Sequence, residues 1–146
     1  MQEKTFPGTL DSLSRVRAFV AAAGRAAGLD TGRIYNLCLA VDEIATNIVR
    51  HGYEEAGLKG DIAIEALQVR GQLIIRLLDH GRIYDPDRVP NPDLGNPLNQ
   101  HTGGWGLFLS KTGVDHFDYT SSDSGNEHRF VMYLPGKVAA DDHLRP

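Results

Sequence analysis

At 146 residues, the chain is the size of one compact domain with room for a real core. Its 41% hydrophobic and 23% charged residues exclude wholesale disorder, and a net charge of −4 argues against extended nucleic-acid or anionic-membrane binding. The only cysteine, Cys38, excludes an internal disulfide and reads as a packed thiol in the apolar run Leu37 to Val41. No run reaches the roughly 18 apolar residues of a membrane span, and the first residues lack a signal-peptide apolar core. A cytoplasmic location is the expectation.

Thr5 to Pro7 predicts a short edge strand, ended by the proline. Asp11 or Ser12 can cap a helix running to about Ala27, where Leu13, Val16, Phe19, Val20 and Ala23 fall at helical spacing and Gly28 is the stop. Asp30 or Thr31 opens a second helix to about His51, ending at Gly52. Asp61 to Val69 alternates as a strand, and Arg70-Gly71-Gln72 connects it tightly to a second strand, Leu73 to Asp79. From His80 to Thr102, prolines, Asn, Asp and Gly replace apolar periodicity, the composition of a functional lid or a disordered insert. Gly106 to Gly113 reads as a short helix. Asp115 to Ser121 and His128 to Leu134 read as strands joined by a turn at Asp123 to Asn126. The expected architecture is one α+β domain over residues 1–136, a two-layer sandwich of a mostly antiparallel sheet with helices on one face, followed by a polar tail at 137–146.

Three segments carry chemistry. On the second helix, Leu37, Val41, Ile44 and Ile48 define a core stripe, and Glu43, Asn47 and His51 at i, i+4 and i+8 form a polar stripe beside it. Groups placed there look into a cleft at the edge of the core. The Asn47 amide oxygen is a hard ligand suited to Mg²⁺, and Glu43, one turn away, can accept a proton from an attacking hydroxyl or water. His51 either touches phosphate or ends the helix, favoured by the C-terminal dipole. Taken alone, this pattern also fits a hydrated helix flank.

Asp79 closes an almost wholly apolar strand, so its carboxylate can sit at the mouth of the sheet and accept from an exocyclic amine such as that of adenine. Gly81 lets backbone lie against a flat ring. A plain strand-end turn fits the same residues. Tyr84, Asp85 and Pro86 fix the direction of the following loop. Gly103-Gly104-Trp105-Gly106 then leads into Leu107-Phe108-Leu109, giving close backbone approach to phosphates at a helix start. It is not a Walker loop, since G-x₄-G-K-[ST] is absent. Trp105 reads as a lid or packing residue. Together the three segments supply what a magnesium-ATP pocket requires.

In this order and spacing, Glu43/Asn47/His51, Asp79-x-Gly81 and Gly104-x-Gly106 resemble the three nucleotide-binding boxes of the GHKL ATPase superfamily, which has the Bergerat, or histidine-kinase-like, ATPase fold. The endings Asp-x-Gly-x₃-Asp-Pro and Gly-Gly-x-Gly-Leu-Phe-Leu most resemble its stand-alone anti-sigma-factor serine/threonine kinases, over roughly Leu10 to Leu134. The resemblance implies ATP and Mg²⁺ as cofactors, with Glu43 as general base, Asn47 as magnesium ligand and Asp79 as the adenine-reading carboxylate. It further implies that Gly81 packs on the base, and that Gly103, Gly104, Trp105, Gly106 and Leu107, with His51 and Tyr84, border the nucleotide. Its implied partners are a sigma factor and a STAS-type anti-anti-sigma protein that becomes phosphorylated on serine or threonine. Relatives also often dimerise through the sheet, which makes a homodimer an implied assembly.

Three departures stand out. Ile83 replaces a frequent second glycine of the Asp box, and His101 and Thr102 stand where kinases of this branch often carry an arginine. Arg129 stands where the final hairpin often presents a threonine to the base. These leave open an alternative: a catalytically weak, ATP- or ADP-responsive regulatory module of the same fold.

Overall fold

The computed structural model of the chain describes residues 1–83 and 113–135. Strand β1 (Gln2–Pro7) leads through a 3₁₀ turn (Leu10–Ser12) into helix α1 (Leu13–Ala27). Helix α2 (Thr31–Asn47) continues without a break into a π-helical segment (Ile48–Glu54). Strands β2 (Asp61–Val69) and β3 (Gln72–Asp79) form one hairpin, and β4 (His116–Ser122) and β5 (Gly125–Tyr133) form another. Every pairing is antiparallel, in the order β1-β2-β3-β5-β4. The α+β class with a mostly antiparallel sheet is therefore the observed one.

Local chemistry accounts for the boundaries. The Asp30 carboxylate accepts from the Arg33 amide at 2.8 Å, capping α2. Arg70 and Gly71 both have positive φ (48° and 74°), the two-residue turn whose twist matches antiparallel strands. Period-two alternation then sorts the sheet. Ile62, Ile64 and Ala66 of β2, Leu73, Ile75 and Leu77 of β3, and Phe130 and Met132 of β5 join one core with Val16, Val20 and Ala23 of α1 and Leu37, Val41 and Ile44 of α2. At roughly 1.5–3 kcal/mol for each large side chain fully buried, this layer is the main source of stability. On the opposite sheet face, Arg76 donates to both carboxylate oxygens of Glu127 (3.0 and 2.6 Å) and pairs with Glu65 across β2. No helix among the described residues is long and apolar enough to cross a membrane.

Strand β1 begins at Gln2, three residues before the expected Thr5, and two further boundaries differ from expectation. Gly52, the expected helix stop, lies inside the π-helical segment, which is closed by bonds from Glu55 N to Arg50 O and from Leu58 N to Tyr53 O, both 2.9 Å. The Gly52 carbonyl accepts from the Arg82 amide at 2.8 Å, which ties the segment to the loop after β3. Strand β5 begins at Gly125, not at His128, which leaves Asp123 and Ser124 as the turn and makes Asn126 a strand residue directly opposite Asp79. The expected helix at Gly106 to Gly113 and most of the His80–Thr102 loop lie outside the described residues.

Candidate functional site

The end of β3, the π-helical segment and the start of β5 meet at Asp79. This residue is only 2% exposed. Its Oδ1 accepts from Asn126 Nδ2 and from the Gly81 amide, both at 2.9 Å, whereas Oδ2 is buried with no hydrogen-bond partner among the described residues. Burial is the main influence on this carboxyl and pushes its pKa up, against the two donated hydrogen bonds and the nearby His80, which act to lower it. The result is a carboxylate held by one oxygen and offering the other. A buried acceptor left in that state costs free energy until a donor reaches it.

A recess opens beside that oxygen, lined by Asn47, Ile48, Asp79, Arg82, Tyr119, Asn126 and His128. It is narrow, about 10 Å³. Arg82, one of the lining groups, has a half-exposed side chain. The loop after Asp79 is tied to the helix end on two sides. The Tyr53 hydroxyl accepts from the His80 amide (3.0 Å) and donates to the Asp61 carbonyl (2.7 Å), and the Arg82 amide reaches Gly52.

Gly81 sits hard against this helix end. A Cβ built on it would lie 2.8 Å from the Gly52 oxygen and 2.9 Å from its carbonyl carbon, so backbone would have to move. Gly81→Ala is therefore expected to cost about 1–3 kcal/mol and to lower the melting temperature by several degrees, measured by thermal unfolding. An unchanged melting temperature would mean that the loop can shift freely.

The predicted residues are distributed as follows. Asn47 and Asp79 line the same recess, and Gly81 shapes its loop. Glu43 stands one turn earlier on α2 and is solvent-exposed. His51 does not line the recess; its Nδ1 lies 2.8 Å from Glu55 Oε1, a contact that holds the Glu55 carboxyl below the usual range. A π-helical turn begins just after Asn47; it brings Gly52 against the Asp79 loop, and on it His51 pairs with Glu55 at i, i+4. Tyr84, Gly103, Gly104, Trp105, Gly106 and Leu107 lie outside the described residues.

The threonine position of the last hairpin, assigned from the sequence to Arg129, does not fall on that residue. Arg129 is exposed on the other side of β5, while Asn126 and His128 face the recess. Strand alternation from the Asp79–Asn126 register forces this. His128 is 3% exposed, its Nδ1 lies 3.9 Å from Asp79 Oδ2, and its ring packs at 4.8 Å from that of Tyr119. Desolvation drives its pKa down to about 4, partly offset by a hydrogen bond to the Leu77 backbone, so it is neutral at pH 7.

A histidine whose folded pKa is depressed contributes stability above its unfolded pKa and loses it as pH falls. Denaturant titrations should therefore show His128 withdrawing on the order of 3 kcal/mol between about pH 6.5 and about pH 4. Asp79, with its pKa raised, works in the opposite sense, so the difference between the native chain and His128→Gln isolates the histidine. Parallel pH profiles for the two would contradict this assignment.

Comparison with known proteins agrees with this fold. The family described as "Histidine kinase-like ATPase domain" matches residues 6–132. The serine-protein kinase RsbW of Bacillus velezensis is 28% identical over 141 residues, covering 92% of this chain and 86% of the relative. The anti-sigma F factor of Thermoanaerobacter sp. is 28% identical over 136 residues, covering 92% of this chain and 94% of the relative. Among solved structures, the histidine kinase domain of the Erythrobacter litoralis EL346 blue-light activated histidine kinase aligns with a TM-score of 0.56 at 17% identity, a likeness of fold. The alignment spans 90% of this chain and 64% of that one. The chain is a member of the histidine kinase-like ATPase domain family, with RsbW serine-protein kinases and anti-sigma F factors among its homologues.

Proposed function

We propose that this chain binds ATP with Mg²⁺ at the Asp79 recess and acts as an anti-sigma factor with serine/threonine protein kinase activity. Its substrate in this reading is a STAS-type anti-anti-sigma partner, and phosphorylation governs which partner it holds. The observation that carries the reading is the buried Oδ2 of Asp79, without a hydrogen-bond partner among the described residues, in a recess shared with Asn47. In the ionised carboxylate that oxygen only accepts, which suits the exocyclic amine of adenine and rejects a carbonyl at the same place. The names of the homologues, serine-protein kinase and anti-sigma factor, support the choice of activity and partner.

The residues divide the work. Asp79 reads the base edge, and Gly81 keeps side-chain bulk out of the loop beside it. Asn47 would hold the magnesium ion through its amide oxygen, leaving most of the metal's coordination to water and phosphate. Glu43, exposed one turn away, would take the proton from a partner's hydroxyl. Gly103, Gly104, Trp105, Gly106 and Leu107, with Tyr84, form the phosphate-side and lid contacts in this reading. When bound, magnesium-ATP supplies the transferable phosphoryl group and neutralises charge around it, leaving the protein mainly to position.

A second reading has one specific support: His101 and Thr102 occupy the place where an arginine would stabilise phosphate charge. In that reading the chain binds nucleotide and responds to it without efficient transfer. Incubation with labelled magnesium-ATP and the STAS protein decides between them. Label on a partner serine or threonine supports the kinase; ATP binding without transfer supports the regulatory module.

A further inference from the structure

Asn126 has every polar atom of its side chain engaged. Its Nδ2 donates to Asp79 Oδ1 (2.9 Å) and to the Gly81 carbonyl (3.0 Å), and its Oδ1 accepts from Ser121 Oγ (2.7 Å). It is 5% exposed. This amide joins three elements: the β4 end through Ser121, the β3 end through Asp79, and the loop through Gly81. Because Oδ1 of Asp79 is taken by Asn126 and the Gly81 amide, only Oδ2 remains as an acceptor. Without Asn126, Oδ1 keeps only the Gly81 amide, and a carboxylate held by one hydrogen bond in place of two turns more readily about its last bond, so that Oδ2 is no longer fixed toward the recess.

We infer that Asn126, held by Ser121, is a positioning residue that sets base specificity by fixing which oxygen of Asp79 meets the nucleotide. The inference rests on the ATP reading above and extends it to a residue outside the nucleotide-binding boxes. A carboxylate held in one orientation discriminates sharply between a base edge that donates and one that accepts, because a mismatched edge leaves a buried acceptor unpaired. A carboxylate that can rotate away loses that penalty and discriminates less.

The test compares binding of ATP and ITP, which differ at the exocyclic position (amine against carbonyl), by calorimetry on the full chain. The native protein should prefer ATP. Asn126→Ala should weaken ATP binding on the order of 10- to 100-fold while leaving ITP within about threefold, so the preference collapses. Ser121→Ala should shift the ratio in the same direction by less. Thermal unfolding of each variant accompanies the titrations.

Asn126→Asp gives a readout that a purely structural role would not move. It sets a second carboxylate against Asp79 Oδ1, and like charges raise the pair's proton affinity. A proton held on the substituted side chain restores a donor to Asp79. ATP preference should therefore be lost at about pH 8 and recover toward about pH 6. The other groups that face Asp79 are His128 on β5, Tyr119 on β4, Tyr53 from the helix end, Asn47 on α2, and His80 and Arg82 on its own loop. The native chain run at both pH values controls for them.

If the native protein binds neither nucleotide, the ATP reading itself falls. If it prefers ATP and folded Asn126→Ala keeps the native ATP-to-ITP ratio, the positioning role is overturned while the ATP reading stands. A variant that fails to fold passes the decision to the pH recovery of Asn126→Asp, whose absence in a folded protein also overturns the inference.

Discussion

Asp79→Asn is expected to lower ATP affinity by about 100-fold or more while leaving the unliganded fold as stable as before, or more stable. The two effects separate because the two oxygens have different tasks. The amide oxygen of the substituted side chain can still accept from Asn126 Nδ2 and the Gly81 amide, so the internal network survives. The new NH₂ group replaces Oδ2, the oxygen offered to the ligand. There it confronts an amine with an amine, removing a charge-assisted hydrogen bond and adding a donor-donor clash.

The stability half follows from the sign of the pKa shift. Burial raises the Asp79 pKa, so folding favours the protonated carboxyl and the charged form is a cost at neutral pH. A neutral amide removes that cost. Calorimetric titration and thermal unfolding on the same preparation check both halves. A large loss of stability with normal ATP affinity would make Asp79 a structural residue and nothing more.

Glu43→Gln is the second large effect: phosphoryl transfer to the STAS partner should fall about 10²- to 10⁴-fold, with ATP affinity within about threefold of native. Glu43 is exposed on α2, so the change should leave stability within about 0.5 kcal/mol. Glutamine keeps the size and loses the ability to take a proton. Single-turnover measurements with bound ATP separate transfer from binding. Undiminished transfer would remove Glu43 as the base and place proton removal elsewhere.

Much of the fold was legible because local pattern and final burial coincide. The alternation from Ile62 to Ala66, the Arg70-Gly71 turn and the Asp30 cap each announce an element whose bounds the sheet and core then enforce. Asp79 was legible because an acid closing an apolar strand has few apolar reasons to be there. What escaped detection depends on pairing distant in sequence. Asn126 looks like a turn residue in Asp-Ser-Gly-Asn, and only its register opposite Asp79, 47 residues away, makes it an anchor. The same register turns His128 inward and Arg129 outward. The π-helical widening after Asn47 leaves no periodic signature, so the pairing of His51 with Glu55 is not read from the stripe. Gly52 and Gly81 each resemble ordinary stops or turns, and their close approach shows only when both stretches of backbone are in place.

The central claim is that the Asp79 recess is an ATP site dependent on magnesium, and calorimetric titration of the native chain with ATP, with and without Mg²⁺, tests it most directly. Saturable, one-to-one binding in the micromolar range is expected, strengthened by the metal through Asn47. Absence of binding under both conditions would contradict the claim and leave a domain of this fold that works without nucleotide.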